Sequence, residues 1–285
     1  EPACQPGSGQ NRPRDPGSTD LQRRAAMIEL EHGTPDVPVE AVVSPIDGGR
    51  IAALRVGGED LLVTGQGDDH PMLWGCFPMV PWAGRIRGGR FEVDGRTVEL
   101  PVNLPPHAIH GTGFVSRWEV LDSGLDHVEM STTLTWPLGG RAHQHVQLTE
   151  RALVLVLTVV ADDRPMPVTI GWHPWFVKPV SDRLRFGRMY LRDAEGIPTG
   201  ALVEPSPRPW DDCFVDPEGP LELHLASGRV VTVSSDCDHW VVYDQPEHAT
   251  CVEPQSGPPD AVHLGTATRL EPGELLQRTM TISWT

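Results

Sequence analysis

A histidine flanked by aromatic residues is the first feature of this sequence that could do chemistry. His173 stands in TIGWHPWF, directly after Trp172 and two residues before Trp175. Indole faces offer a broad apolar surface for a sugar ring, and an imidazole between them can donate or accept a proton near neutral pH. The segment therefore fits a sugar pocket, and it also fits an aromatic core with one polar member.

A glutamate in a proline-rich segment is the second candidate. Glu253, in CVEPQSGPPDAVH, closes a predicted strand. Three prolines follow it within six residues, Pro254, Pro258 and Pro259. Because proline fixes its own backbone torsion, the segment predicts a carboxylate held rigidly at a loop mouth, where a general base can act. The alternative is an ordinary solvated surface carboxylate.

Two further histidines precede a glycine-rich turn. PHAIHGTGF contains His107 and His110 on a stretch flanked by apolar residues. Either histidine fits a catalytic or binding role. Either also fits a structural side chain with its hydrogen bonds satisfied inside the fold.

Arginines and aspartates make up the remaining polar segments. PWAGRIRGGRF carries Arg85, Arg87 and Arg90 around a bend, and WDDCF carries Asp211 next to Asp212. A guanidinium fork can hold sugar hydroxyls or a phosphate, whereas charged residues at a strand edge also serve to block pairing with other chains. The WDDCF segment alone also fits a simple turn.

Metal and nucleotide chemistry find little support in the sequence. His143 and His145 form an H-x-H pair on a predicted strand, but no third ligand stands at a telling spacing, so we predict no metal and no cofactor. The sequence has no G-x-S-x-G motif and no G-x-x-x-x-G-K-[ST] motif, which argues against serine hydrolases and P-loop NTPases. It also has no dinucleotide-binding fingerprint within a βαβ unit, which argues against Rossmann dehydrogenases.

Net charge and cysteine content limit the possible partners and the cellular compartment of the protein. The formal net charge of −16 disfavours nucleic acid and anionic membrane surfaces as partners, which leaves a small molecule. Five cysteines without C-x-x-C spacing argue against a disulfide framework and a zinc knot. With no apolar run long enough to span a membrane and no signal-peptide pattern, we predict a cytoplasmic protein.

The sequence pattern predicts that the elements that position these residues are β-strands. Short alternating runs separated by turn residues follow one another from about residue 38, and Asp94-Gly95 between two such runs predicts a tight hairpin. The apolar run at 152–160 predicts a strand covered on both faces. We therefore predict an all-β, antiparallel sandwich or barrel with little helix. Residues 1–26 are predicted to be a disordered N-terminal extension and 27–285 a single domain.

Taken in order, the polar segments resemble the aldose 1-epimerase (galactose mutarotase-like) family. The order is an Arg after a Pro-aromatic bend, a His-Gly, a His-Pro-aromatic-Phe, an Asp-x-x-Phe and a Glu-Pro-Gln before Pro-Pro-Asp-Ala. The resemblance extends from about residue 38 to the last residue. It implies a large antiparallel β-supersandwich with its site in a groove on one face, and interconversion of sugar anomers without a cofactor.

The same resemblance implies roles for individual residues. Glu253 matches the general base and His173 the general acid. Residues at matching substrate-binding positions are His110, Arg85, Asp211, His107, Trp175 and Gln255. The sequence departs from the family pattern where Gly84 precedes Arg85, and where His107, Trp175 and His263 replace Asn, Tyr and Asn.

The main hypothesis is therefore an isomerase, a mutarotase acting on an aldose. One alternative is a hexose-6-phosphate mutarotase, with a phosphate clamp made by Arg85, Arg87, Arg183 and Arg185. A second alternative is a non-catalytic carbohydrate-binding protein on the same scaffold. A glycosidase that uses Asp211 and Glu253 is a more remote possibility.

Overall fold

The computed structural model describes residues 26–65 and 69–285. The predicted disordered extension at 1–26 lies, except for Ala26, outside the described residues. Within them, three short 3-10 turns, one short helix, α1 (Ala261–Leu264), and many strands form the fold. The strands, in chain order, are β1 (Ile28–Gly33), β2 (Pro38–Ser44), β3 (Arg50–Val56), β4 (Glu59–Asp60), β5 (Cys76–Met79), β6 (Arg85–Ile86), β7 (Arg90–Val93), β8 (Arg96–Glu99), β9 (Ala108–Ile109), β10 (Glu119–Ser123), β11 (His127–Thr133), β12 (Arg141–Leu148), β13 (Ala152–Val160), β14 (Met166–Val168), β15 (Gly171–Val177), β16 (Ser181–Arg183), β17 (Phe186–Arg192), β18 (Pro198–Val203), β19 (Asp211–Pro217), β20 (Leu221–His224), β21 (Val230–Ser235), β22 (His239–Tyr243), β23 (Ala249–Gln255), β24 (Thr268–Leu270) and β25 (Leu275–Trp284).

Two large antiparallel sheets carry the fold. The first has 11 strands in the order β1-β2-β3-β5-β15-β23-β22-β19-β17-β18, with β4 paired to β3. The second has eight strands in the order β10-β11-β12-β13-β25-β21-β20-β16. Three two-stranded sheets, β14-β24, β6-β9 and β7-β8, complete the described part. The all-β antiparallel prediction is confirmed.

The two large sheets share one hydrophobic core. That core takes Leu30 and Phe176 from the 11-stranded sheet and Val146 and Ile282 from the eight-stranded sheet. A polar contact also joins the sheets, since the indole N–H of Trp172 donates a hydrogen bond of 3.0 Å to the side-chain amide oxygen of Gln144. The sandwich therefore buries one face of the 11-stranded sheet.

The strand period of two divides the residues of β15 between two faces. Trp172 and Phe176 point into the shared core, whereas Trp175 belongs to a separate apolar cluster on the opposite face. The same alternation places Val252 in the core and Cys251 in that second cluster. Because neighbours along a strand point to opposite faces, the odd-numbered residues of β15 and β23 share the face turned away from the second sheet.

Two local predictions, for the turn at Asp94-Gly95 and for the strand at 152–160, had different outcomes. Asp94 and Gly95 adopt φ values of 50° and 71° between β7 and β8, so the hairpin prediction is confirmed. The prediction that 152–160 is covered on both faces is wrong. Along β13 every second residue is buried and the others are half-buried, because only one face meets the shared core.

The structure also shows where four of the cysteines lie and whether any helix could span a membrane. The cysteines within the described residues, Cys76, Cys213, Cys237 and Cys251, are buried and free, in line with the absence of a predicted disulfide framework. Cys4 lies outside the described residues. Among residues 26–65 and 69–285, no helix has the length and apolar character needed to cross a membrane.

Candidate active site

A cavity of about 270 Å³ opens on the face of the 11-stranded sheet that is turned away from the second sheet. Strands β15, β23, β22 and β19 form its floor, and β6, β9 and nearby loops form its walls. Its lining combines polar and apolar side chains, namely Met72, Leu73, Gly84, Arg85, Leu104, Ile109, His110, His173, Trp175, Asp211, Val241, Tyr243, Gln245, Glu253, Gln255 and Pro259.

His173 and Glu253 meet at the floor of this cavity. Nε2 of His173 lies 3.3 Å from Oε1 of Glu253, and both side chains are buried. The second carboxyl oxygen, Oε2, accepts a hydrogen bond of 3.2 Å from the side-chain amide of Gln255. The histidine comes from β15 and the carboxylate from the neighbouring β23, so sheet pairing sets their separation.

Burial perturbs both members of this pair in the direction that favours neutral forms. It lowers the pKa of His173 to about 3, and the positive charge of Arg50 adds to this lowering. It raises the pKa of Glu253 well above the usual value, helped by the negative charge of Asp211. Gln255 and Arg85 act the other way on the pKa of Glu253, because both stabilise its ionised form.

The pair therefore holds one proton between its two members, and burial favours the form with that proton on Glu253. The neutral histidine with a protonated glutamate, and the imidazolium with a carboxylate, have the same total charge. Perturbed titratable groups that face a cavity are typical of catalytic sites. This arrangement can give a proton to one ligand atom and take a proton from another.

A column of rings fixes the plane of the His173 imidazole. Phe77 stacks on one side at 4.8 Å and Trp175 on the other at 5.4 Å, measured between ring centroids. His248 continues the column beyond Trp175 at 6.1 Å. Because Phe77 is the cross-strand partner of His173, and Trp175 stands two residues further along β15, the sheet register itself builds this column.

Arg50 lies buried behind the same column. Its guanidinium packs over the Trp74 ring at 4.0 Å and over Phe77 at 5.4 Å. It also donates hydrogen bonds to the carbonyl oxygens of Trp74 and Phe114, at 3.1 and 3.2 Å. A fixed positive charge at this position opposes protonation of His173 from the side away from the cavity.

His110 reaches the cavity because of an unusual backbone. It has a φ of 61°, and Gly111 follows at 76°. A Cβ atom on Gly111 would lie 1.8 Å from the carbonyl oxygen of Val80, so only glycine fits there. The His110 ring meets the His173 ring edge-on at 5.0 Å, and burial together with His173 and Arg85 lowers its pKa well below the usual value.

A charged network borders the other side of the cavity. Nη2 of Arg85 lies 3.5 Å from Oδ2 of Asp211, which also receives Nη1 of Arg192 at 3.3 Å. Nε of Arg192 in turn lies 2.7 Å from Oδ1 of the buried Asp212, with which it forms an ion pair. This chain of contacts holds Asp211, and through it Arg85, at the cavity wall.

Seven of the eight residues predicted from the sequence line this one cavity. They are Glu253, His173, His110, Arg85, Asp211, Trp175 and Gln255. The eighth, His107, is buried but is not among the lining residues, and its Nδ1 accepts a hydrogen bond of 3.2 Å from the backbone N–H of Gly88. The structure thus gives His107 a structural contact beside the site.

The other polar segments lie elsewhere. Arg87 pairs with Asp193 and Glu195, and Arg183 pairs with Glu222 on the second sheet. None of these residues lines the cavity, and neither does Arg185.

The H-x-H pair also lies away from the cavity. His143 and His145 lie on β12, where Nδ1 of His145 is 3.4 Å from Glu129. No third ligand completes a metal site there within the described residues.

Sequence reasoning missed several residues that matter here. Arg50 follows a Gly-Gly pair and opens an apolar strand, and a lone charge in such a run was the available signal. Tyr243, at the end of HWVVY, meets Trp175 edge-on at 6.0 Å. Glu253 itself was misplaced along its strand: β23 continues to Gln255, so the carboxylate projects from a central strand and not from a loop mouth.

Comparison with known proteins adds independent information. A protein-family model described as aldose 1-epimerase matches residues 39–283. The uncharacterized protein YphB of Escherichia coli K12 is 27% identical over 238 residues, which cover 70% of this chain and 80% of YphB. A maltose epimerase from Levilactobacillus brevis is 40% identical over 68 residues, which are 24% of this chain and 19% of that enzyme.

The fold has solved counterparts as well. The crystal structure of a GalM/aldose epimerase homologue from C. elegans superposes with a TM-score of 0.77 at 16% identity, covering 91% of this chain and 99% of that one. At this identity the likeness concerns the fold alone. Since the family model spans most of the chain, including the strands that form the cavity, the chain belongs to the aldose 1-epimerase family.

Proposed function

We propose that this protein interconverts the α and β anomers of a neutral aldose, with Glu253 as general base and His173 as general acid. The observation that carries the proposal is the buried pair on the cavity floor, 3.3 Å from Nε2 to Oε1. The cavity volume of about 270 Å³ suits one sugar ring better than a large ligand.

The chemistry requires two proton transfers in opposite directions. Glu253 takes the proton of the C1 hydroxyl while the bond between C1 and the ring oxygen breaks. The ring oxygen keeps the electron pair of that bond and takes a proton from His173. The product is the open-chain aldehyde, and rotation about C1–C2 followed by the reverse transfers gives the other anomer.

The charge balance of these two proton transfers suits a buried site. The reactive form is the imidazolium–carboxylate pair, which the resting neutral pair reaches when Glu253 passes its proton to His173 across the 3.3 Å contact. After ring opening Glu253 again holds a proton and His173 is neutral. The pair therefore has the same total charge in both states. A buried site tolerates such an exchange well, because no net charge has to enter or leave a region of low polarisability.

Neighbouring groups supply binding and orientation. Arg85, Asp211 and His110 border the cavity with donors and acceptors for hydroxyl groups, and the Trp175 indole offers an apolar face for the ring. Gln255 fixes Oε2 of Glu253 and leaves Oε1 to the reaction.

The charges around the cavity favour a neutral sugar over a phosphorylated one. Arg85 is the one cationic side chain among the lining residues, and its guanidinium already meets Asp211. Asp211 and Glu253 are both acidic. A phosphate group here would face two carboxyl groups and one engaged guanidinium, which disfavours the predicted clamp of four arginines.

The test is anomer exchange, followed by polarimetry or exchange NMR on a panel of free aldoses and their 6-phosphates. We expect acceleration of at least one neutral aldose, and losses of about 10²–10⁴-fold in Glu253→Gln and in His173→Asn. The control variants Glu247→Gln and His143→Asn, which change the same residue types outside the cavity, should keep wild-type rates.

Three outcomes would contradict the proposal in different ways. Wild-type rates in both cavity variants would refute the assigned roles. A preference for a 6-phosphate over the free sugar would support the hexose-phosphate alternative. Saturable binding of sugar without acceleration would identify a carbohydrate-binding protein that has kept the scaffold.

A further inference from the structure

A buried thiol that the proposed reaction does not use lies next to the acid–base pair. Cys251 is on β23, two residues before Glu253 and on the same face, and it is fully buried. One potential ligand atom from each of His173, Cys251 and Glu253 lies within 4.8 Å of the other two. Among the described residues, this is the one group of three or more His, Cys, Asp or Glu side chains with such a geometry.

The three donor types together select the class of ion. An imidazole nitrogen, a thiolate sulfur and a carboxylate oxygen are the ligands that Zn²⁺ takes in proteins, at about 2.0–2.3 Å. Mg²⁺ and Ca²⁺ prefer sets made only of oxygen atoms. Closing donors that lie up to 4.8 Å apart around an ion requires side-chain shifts of about 1 Å.

Charge and access also suit a zinc-like ion. A thiolate and a carboxylate together neutralise a divalent cation, so the filled site carries no net charge into the buried region. His173 and Glu253 line the cavity, which gives the ion a path from solvent. Three protein ligands would leave a fourth coordination position free, as in zinc sites that also hold water.

We propose that His173, Glu253 and Cys251 form a binding site for Zn²⁺ or a similar thiophilic divalent cation, and that occupancy inhibits the protein. On binding, the Cys251 thiol and the acid–base pair each release one proton to solvent, and the sulfur, the imidazole nitrogen and the carboxylate become ligands. The ion occupies the imidazole lone pair and the carboxylate, which the acid–base pair needs for proton transfer. The inhibition rests on the proposed mutarotation, whereas the binding does not.

Co²⁺ tests the binding without reference to activity. Protein freed of metal with a chelator is titrated with Co²⁺, and the near-ultraviolet band of charge transfer from thiolate to cobalt is recorded. We expect the band in the wild type, its displacement by Zn²⁺, and its loss in Cys251→Ser. The matched control is Cys237→Ser, which removes a buried thiol from the turn between β21 and β22 and should keep the band.

Activity tests the second half of the proposal. The rate of anomer exchange with Zn²⁺ is divided by the rate with excess chelator, separately for each variant, so that different basal rates do not matter. We expect this ratio to fall steeply in the wild type and in Cys237→Ser, and to stay near one in Cys251→Ser.

Each contrary result has a distinct meaning. No thiolate band in the wild type, or a band that persists in Cys251→Ser, refutes the site. A thiolate band without inhibition refutes the inhibitory role and leaves the site. If no sugar is accelerated at all, mutarotation fails while the spectroscopic result still decides the binding. Should Cys251→Ser fail to fold, Glu253→Gln replaces it, with a weaker Co²⁺ affinity as the expected result.

Discussion

Nε2 of His173 and Oε1 of Glu253 face each other at 3.3 Å across two adjacent antiparallel strands, with both side chains buried. This relationship predicts an unusual dependence of the rate on pH. Burial lowers the pKa of His173 to about 3 and raises the pKa of Glu253, so the pair resists both a second proton and the loss of the shared one.

We therefore expect kcat/KM for anomer exchange to stay level through about pH 6.5, the ordinary pKa of histidine. The acid limb should lie below that value, and the alkaline limb should lie above the ordinary range of a glutamate. The measurement is a pH–rate profile by exchange NMR. An inflection near pH 6.5 that disappears in His173→Asn would show that the imidazole titrates normally.

The same burial predicts that the carboxyl group of Glu253 weakens the fold. The folded-state pKa of Glu253 is raised above the ordinary 4.5, so above pH 4.5 the unfolded chain binds fewer protons than the folded one. Stability is therefore lost as pH rises from 4.5 toward the folded-state pKa. Glu253→Gln should raise Tm at pH 8, and the gain should shrink as the pH approaches 4.5.

Thermal unfolding at several pH values measures this effect. The matched control is Glu247→Gln, which removes an exposed carboxylate and should leave Tm unchanged at each pH. A lower Tm for Glu253→Gln at pH 8 would show that the carboxylate stabilises the fold, contrary to the argument from burial.

Arg192 should act on the substrate without touching it. Its guanidinium lies 3.3 Å from Asp211 and 2.7 Å from Asp212. Asp211 in turn forms an ion pair with Arg85. Arg192→Met releases this wall, so KM should rise by about tenfold, the loss of one hydrogen bond to a charged group, with a smaller change in kcat. Arg192→Lys should recover part of the loss. A fall in kcat with unchanged KM would contradict this positioning role.

The close approach of Gly111 to the Val80 backbone predicts that a side chain at position 111 strongly destabilises the fold. Gly111→Ala would place a Cβ atom 1.8 Å from the Val80 carbonyl oxygen, at a φ of 76°. Gly58→Ala is the control, since Gly58 has a φ of 79° and a Cβ atom there would meet no other atom within 4 Å. The control should lose about 1–2 kcal/mol of unfolding free energy from the torsion alone, and Gly111→Ala clearly more. Equal losses in urea denaturation would mean that the backbone yields freely.

The sequence alone reached the fold class because strand alternation and turn chemistry are local signals. The Asp94-Gly95 hairpin is an example, since both residues adopt the positive φ that the pair predicts. Seven of the eight predicted site residues share one cavity because the resemblance supplied their order along the chain, and the fold brings that order together.

What sequence reasoning could not supply is pairing between distant segments. Arg50 lies more than a hundred residues before His173, and nothing local indicates that it packs behind the imidazole column. The position of Glu253 was misjudged for another reason. Proline normally marks a strand end, yet Pro254 lies inside β23 opposite Trp240.

The proposed acid and base, His173 and Glu253, lie on neighbouring strands of one sheet, whereas Met72, Leu104 and Gln245 reach the cavity from loops. Backbone hydrogen bonding thus fixes the reacting geometry, and the rim is free of that constraint. Insertions or substitutions in the loops can accumulate over generations without disturbing the proton exchange. New sugar preferences can therefore evolve at the rim while the reaction itself is inherited intact.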